Sequence, residues 1–187
     1  MHVKFCSICS TALEFKIPPS DSRKRAVCPC CETVHYVNPK IVVGTVPVWK
    51  EQILLCRRAI EPQYGLWTLP AGFMEIAETT TQGAVRETLE EAGVQVELKG
   101  LYSMIDVPHI QQVHLFFKAE LLDLAFNPGN ESLEVRLFSP KDIPWDKLAF
   151  VTVHKTLKWF VSEQDTGHYH LHVDVVDLAA TPTHLVL

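Results

Sequence analysis

Apolar and polar positions along the 187-residue chain change period several times. The runs "KIVVGTVPVW" (40–49) and "QILLCRRA" (52–59) are apolar and rich in β-branched residues, and Lys50-Glu51 separates them, which predicts an antiparallel strand pair. "VELKGLYSMIDV" (96–107) and "QVHLFFKAELL" (112–122) predict a second pair joined near Pro108, and "EVRLFSP" (134–140) a further short strand. Between the pairs the period turns helical. Thr79-x-x-Gln82 reads as a capping box, Gly93 as the residue just past the end, and Val85, Leu89 and Ala92 fall on one side, towards the core. This predicts a helix over 80–92. A second helical pattern runs from Lys147 to Glu163, with Leu148, Val151, Leu157 and Phe160 able to cover a sheet. Near the end, "HYHLHVDV" alternates His168, His170, His172 and Asp174 against Tyr169, Leu171, Val173 and Val175. That pattern predicts an edge strand with a polar face, a metal site being the alternative. The order of strands, helix, strands and helix predicts an α+β chain layered as an α/β/α sandwich.

The first 37 residues lack these long runs and carry five of the six cysteines. Cys6-x2-Cys9 and Cys28-x2-Cys31 stand 18 residues apart, a spacing that predicts a Zn2+ site of four thiolates. A disulfide framework is the alternative. The N-terminus has no basic start followed by an apolar segment, so it does not read as a secretory signal, and that disfavours disulfides. Cys30 is taken as a bystander and Cys56, in an apolar run, as a buried thiol. A unit this small needs the metal for its folding energy. Residues 1–37 are therefore expected to form a zinc ribbon, and 38–187 the main domain with its C-terminal helix and strand, joined through the turn-prone Asn38-Pro39.

A net charge of −5 argues against a surface that coats nucleic acid, and "SRKR" (22–25) reads as a soluble loop. No run of ~18 apolar residues exists to span a membrane, and a cytoplasmic location is expected.

The first helix also crowds Glu87, Glu90 and Glu91 together, the last two where the helix dipole is negative. A solvated acidic face is the plain reading. The flanking residues change it. "GFMEIAETTTQGAVRETLEEAGV" (72–94) resembles the Nudix box, G-x5-E-x7-R-E-U-x-E-E-x-G-U with U aliphatic. Every charged and glycine position matches, and Thr88 is the one departure, at the border of the core-facing side. The resemblance covers roughly residues 38–165 and implies a Nudix-type α/β/α sandwich with a mixed sheet. It further implies Mg2+ or Mn2+ held by Glu87, Glu91, often Glu90, and the carbonyl of Ala71, with Arg86 orienting a glutamate and Glu78 acting as a cap or outer partner. Hard divalent cations take such oxygen ligands, neutralise phosphate oxyanions and lower the pKa of an attacking water. In related enzymes a glutamate on a later loop assists; Glu134 is the first choice here and Glu131 the second.

The implied activity is hydrolysis of the diphosphate link of a nucleoside diphosphate derivative. A four-cysteine ribbon before a Nudix domain resembles the NADH pyrophosphatases, but their S-Q-P-W-P-F-P-x-S signature is absent from "LYSMIDVPHIQQVHLFF" (101–117). "YVNPKIVVG", "GLWTLPAGFMEIAET" and "ESLEVRLF" are instead similar to zinc-ribbon Nudix hydrolases assigned to FAD and ADP-ribose. Arg57 or Arg58 is a candidate to fork onto a phosphate, a surface arginine being the alternative, and Phe116, Tyr102 and Trp67 are ring-stacking candidates whose plain reading is the core. NADH is the alternative substrate, and a nucleotide-sensing zinc-ribbon module the alternative class. A homodimer is expected from the resemblance.

Overall fold

The computed structural model describes residues 3–177 and divides into two units, Met1–Asn38 and Pro39–Leu187. Residues 178–187 of the expected main domain lie outside the described residues. No helix among those described is long and apolar enough to cross a membrane.

In the first unit β1 (Glu14–Lys16), β2 (Arg25–Val27) and β3 (Val34–His35) form a three-stranded antiparallel sheet. Its buried apolar residues include Cys6, Ala26, Val27 and Cys28, a very small core.

The second unit begins with β4 (Lys40–Trp49) and β5 (Gln52–Arg58). They pair only beside their turn, at Val48↔Ile53 and Trp49↔Gln52, and then splay apart. Two short strands fill the wedge: β6 (Trp67–Thr68) pairs with β5, and β7 (Ala71–Phe73) pairs with β4. Helix α1 (Thr80–Ala92) follows, then β8 (Val96–Val107), β9 (Gln112–Leu121), β10 (Ser132–Phe138), α2 (Val151–Gln164) and β11 (His172–Val175). The main sheet runs β10-β5-β4-β9-β8-β11. It is mixed, because β4 lies parallel to β9 and β11 parallel to β8, while β8 and β9 are antiparallel.

Alternation along β4 divides the core into two layers. Val43 turns towards Ala84 of α1 and Phe117. Val46 and Val48 turn the other way, onto Val153, Leu157 and Phe160 of α2. The strand pairs and the layered class expected from the sequence are therefore present.

Three details differ from the expectation. First, α1 is rotated. Its buried face is Gly83, Ala84, Thr88, Glu91 and Ala92, while Val85 is half-buried and Leu89 is 47% exposed. Thr88 sits at the centre of that face rather than on its border: its hydroxyl lies 2.6 Å from that of Thr45 and 2.7 Å from the Ala84 carbonyl. Thr45 and Thr88 are both fully buried, so each supplies the polar partner that the other needs. Second, α2 starts at Val151, not Lys147. Ala149 donates its N–H to Trp67 O at 2.8 Å, and Leu148 is extended, so residues 148–149 follow β6 before the helix can begin. Third, the strand predicted over 168–175 is confined to His172–Val175. His170 Nδ1 and His172 Nε2 both approach Glu163 Oε1, at 3.2 and 2.9 Å, and Asp174 pairs with Lys155 Nζ at 2.6 Å. These side chains are spent on fastening β11 to α2 and do not converge on a metal site.

The C-terminus of α1 explains how glutamates are tolerated there. Its terminal carbonyls are met by backbone donors: Gly93 to Leu89 O, Asn127 to Ala92 O and Gly129 to Glu91 O. The loop makes this contact closely enough that a Cβ on Gly129 would stand 1.7 Å from Glu90 O. Gly129→Ala is therefore expected to destabilise the protein by about 1–3 kcal/mol in urea unfolding, since backbone on both sides must move.

Candidate functional site

The opening between β4 and β5 continues into a cavity of about 950 Å3. One end is lined by Ala71, Gly72, Arg86, Glu87, Glu90, Glu91 and Glu131, and other parts of the wall by Arg58, Phe150, Gln112, His114 and Thr152.

Arg86 organises the acidic end. Its Nε and Nη2 bond both oxygens of Glu78, at 3.0 and 2.8 Å. Its Nη1 donates to Glu87 Oε1 at 2.8 Å and Glu90 Oε2 at 3.0 Å, and Nη2 also donates to Phe73 O at 3.1 Å. All five N–H groups of the guanidinium have an acceptor. Glu78, held between Arg86 and the Glu75 N–H, has its carboxyl pushed down to about 2. Gly72 is required by the same arrangement, because a Cβ there would lie 2.4 Å from Glu87 Oε2.

Glu91 is only 7% exposed. Burial pushes its carboxyl up to about 8, aided by the negative charge of Glu87 and Glu131 and opposed by the Ala71 N–H and Arg58. Burial likewise raises Glu87, against the pull of Arg86. A buried and a half-buried carboxyl under mutual repulsion are costly until a cation joins them. The donor chemistry suits a hard divalent ion. Each of Glu87, Glu90 and Glu91 has one oxygen tied to the scaffold, to Arg86 or, at 3.2 Å, to the Ala71 N–H. The other oxygen of each carries no hydrogen bond from a described residue and is uncommitted, near the Ala71 carbonyl, although the three do not converge within 4.8 Å of one another as the four cysteine sulfurs do.

The structure places the other expected residues differently. Glu131 reaches the cavity, whereas Glu134 does not. Glu134 lies on β10, 3.9 Å from Arg57, so of the two candidate glutamates Glu131 is the one on the cavity wall with the acidic cluster. Arg58 lines the cavity, half-buried, with its guanidinium 4.9 Å over the Phe150 ring and its Nε donating to Pro62 O at 2.9 Å. Arg57 instead faces outward and donates to Gly65 O. Phe116 is 1% exposed and meets the cavity only from within the core. Trp67 and Tyr102 are core rings, the first edge-on to Phe138 at 4.8 Å, the second donating to Glu163 at 2.8 Å. Phe150 and Phe73 are further aromatic rings on the cavity wall that the sequence reading missed; Phe150 precedes α2 by one residue, where no periodicity marks it.

Gln112, His114 and Thr152 were also missed. His114 is buried, with Nδ1 3.0 Å from Thr152 Oγ1 and Nε2 2.8 Å from Gln112 Oε1. Burial lowers its pKa to about 4 from the ordinary 6.5. A base with a depressed pKa binds fewer protons folded than unfolded. Its contribution to stability is complete above 6.5 and is lost as the pH falls towards 4. Up to about 3 kcal/mol of acid sensitivity is expected over that window. Urea titrations of wild type and His114→Gln, compared between pH 4 and pH 7, isolate it, since the variant should lack that slope.

In the first unit, the Sγ atoms of Cys6, Cys9, Cys28 and Cys31 all lie within 4.8 Å of one another. The closest pairs are 3.4–3.6 Å apart, too long for a disulfide, and all six cysteines of the chain are free. A tetrahedral ion with Zn–S bonds of about 2.3 Å requires S···S distances of about 3.8 Å, so the set fits zinc closely. Backbone N–H groups of Ile8 and Cys31 point at Cys6 Sγ and Cys28 Sγ, each at 3.4 Å. Cys30 takes no part.

Comparison with known proteins agrees with both units. Residues 38–160 match the family model for the NUDIX domain, and residues 4–37 match the model described as Nudix N-terminal, a zinc ribbon. The crystal structure of a NUDIX hydrolase from Nitrosomonas europaea is 50% identical, superposes with a TM-score of 0.91, and covers 93% of this chain and 99% of its own. An ADP-ribose pyrophosphatase of Methanocaldococcus jannaschii is 31% identical over 119 residues, 62% of this chain and 69% of that protein. The NAD-capped RNA hydrolase NudC of Photobacterium profundum is 29% identical over 160 residues, and the match spans 82% of this chain but only 58% of that relative. With the box residues gathered at the cavity and two family models covering most of the sequence, the chain belongs to the Nudix hydrolase family and carries the family's N-terminal ribbon ahead of its Nudix domain.

Proposed function

We propose that this Nudix pyrophosphohydrolase cleaves the diphosphate link of a dinucleotide-type substrate, FAD or ADP-ribose, with a divalent cation at the glutamates and zinc in the ribbon. The observation that carries this reading is the pairing of a carboxylate cluster, built around the buried Glu91, with a cavity of about 950 Å3, at the large end of the range for ligand pockets. That volume accommodates both halves of a bridged diphosphate. A divalent cation bound by Glu87, Glu90, Glu91 and the Ala71 carbonyl would neutralise phosphate oxygens and acidify the attacking water. The protein's own residues do the rest. Glu131 accepts the proton of the water that attacks phosphorus. Arg58, stacked on Phe150, offers its positive charge to the diphosphate. Arg86 touches no substrate and fixes the glutamates in place. Cleavage of FAD then gives FMN and AMP, and cleavage of ADP-ribose gives ribose 5-phosphate and AMP.

The relatives named NAD-capped RNA hydrolase make a nicotinamide dinucleotide the second reading. One panel separates them: FAD, ADP-ribose and NADH incubated with Mg2+ or Mn2+, with products resolved by chromatography. FAD or ADP-ribose should give the highest kcat/KM. A higher value for NADH would replace the substrate assignment, and tight binding with no turnover of any of the three would overturn the hydrolase reading in favour of a sensor.

A further inference from the structure

Within the buried β9 strand, the polar pair Gln112 and His114 does not belong to the acidic cluster. The register runs Phe73 on β7, Val42 on β4, His114 on β9, so His114 stands two strand spacings, about 10 Å, from the strand carrying the Ala71 carbonyl. Gln112 follows it along the same cavity wall. The three polar groups there form a chain with one direction. Gln112 Oε1 can only accept, so His114 Nε2 carries the proton. His114 Nδ1 is then an acceptor, and Thr152 Oγ1 donates to it. Thr152 is fully buried in the first turn of α2, which fixes the far end of the chain. The outcome is a carboxamide whose oxygen is committed and whose NH2 has no partner among the described residues.

We propose that Gln112, aligned by His114 and Thr152, is a specificity-determining residue whose NH2 group donates to a ring carbonyl of the substrate. A free carboxamide reads adenine with its oxygen and nitrogen together. With the oxygen turned to His114 and the NH2 without a protein partner among the described residues, the group Gln112 has to offer is a donor, and its complement is an acceptor such as the carbonyl edge of a flavin. ADP-ribose has no ring carbonyl in either half. The two substrates share the adenosine half, so the difference lies in the other half, where a donor placed for a flavin carbonyl is matched less well by a ribose, and this gives selectivity for FAD over ADP-ribose. The inference rests on the dinucleotide-hydrolase reading above and narrows its substrate.

The test is Gln112→Glu, which keeps an acceptor for His114 Nε2–H but removes both donors. The ratio of kcat/KM for FAD to that for ADP-ribose should fall at least about tenfold, the effect of one lost hydrogen bond facing an unmatched group. Long-range 15N–1H spectra should show the Nε2–H tautomer of His114 in both proteins. A ratio unchanged within twofold, including an equal loss for both substrates, would overturn the assignment, as would an Nδ1–H tautomer in wild type. If wild type hydrolyses no dinucleotide, the hydrolase reading fails separately, and quenching of FAD fluorescence decides this one. Binding must then weaken about tenfold in the variant; equal affinity, or no binding by wild type, refutes it.

Discussion

Replacing Glu91 by glutamine is expected to lower kcat by on the order of a thousandfold or more while the fold persists. The amide has nearly the shape of the carboxyl and can still accept the Ala71 N–H that Glu91 Oε2 accepts at 3.2 Å. What it lacks is the charge. Glu91 is the most deeply buried of the cavity glutamates, so the energy it contributes to a bound cation is screened least by water. A thousandfold corresponds to about 4 kcal/mol of transition-state stabilisation, a share that one metal ligand can control. Because burial already holds the metal-free Glu91 carboxyl mostly neutral at pH 7, the neutral amide replaces a neutral acid, and urea unfolding without added metal should show no loss of stability. Added Mg2+ or Mn2+ should raise the melting temperature of wild type and leave that of the variant nearly unmoved, as binding to the native state alone dictates. Turnover within tenfold of wild type, or an equal metal-induced shift in both, would remove Glu91 from the proposed ligand set.

The legibility of this site followed sequence separation. The 72–94 segment is contiguous, its caps are local, and Glu78, Glu87 and Glu90 meet Arg86 within it, so its chemistry could be read without a fold. The rotation of α1 could not. It depends on Thr45, 43 residues before Thr88, offering a hydroxyl. That Glu131 rather than Glu134 lines the cavity was hidden for a similar reason. Register shifts between Ser132 and Glu134, and a one-residue slip sends alternate side chains to opposite faces. From sequence either glutamate fits the loop; only the pairing of Glu134 with Arg57 turns it outward. The strands β6 and β7 are two and three residues long, too short to show a period, yet they fill the wedge that opens the cavity. The Thr152–His114–Gln112 chain joins residues 38 positions apart, and its one trace in the sequence is a pair of polar residues at alternating positions in "QVHLFF".

Stripping the metal from the ribbon should unfold that unit and spare the sheet of the other. The first unit has few buried apolar residues, among them two of the cysteines themselves, whereas the second has clusters such as Val46, Leu55, Phe116 and Phe160. A segment of fewer than about 40 residues rarely folds on its apolar core alone, and a structural zinc contributes roughly 10 kcal/mol or more to such a unit. The purified protein should hold one zinc per chain by elemental analysis and give six reducible-free thiols by mass spectrometry after denaturation with alkylation. Cys28→Ser, which removes a fully buried ligand, should lose the ion in the presence of a chelator. Amides across residues 4–37 should then exchange with deuterium at unprotected rates, while those of β4, β8 and β9 remain protected. Disulfides among these cysteines, or protection across the ribbon undiminished in metal-free Cys28→Ser, would show that something other than zinc holds the four sulfurs together, since no apolar core of that size can.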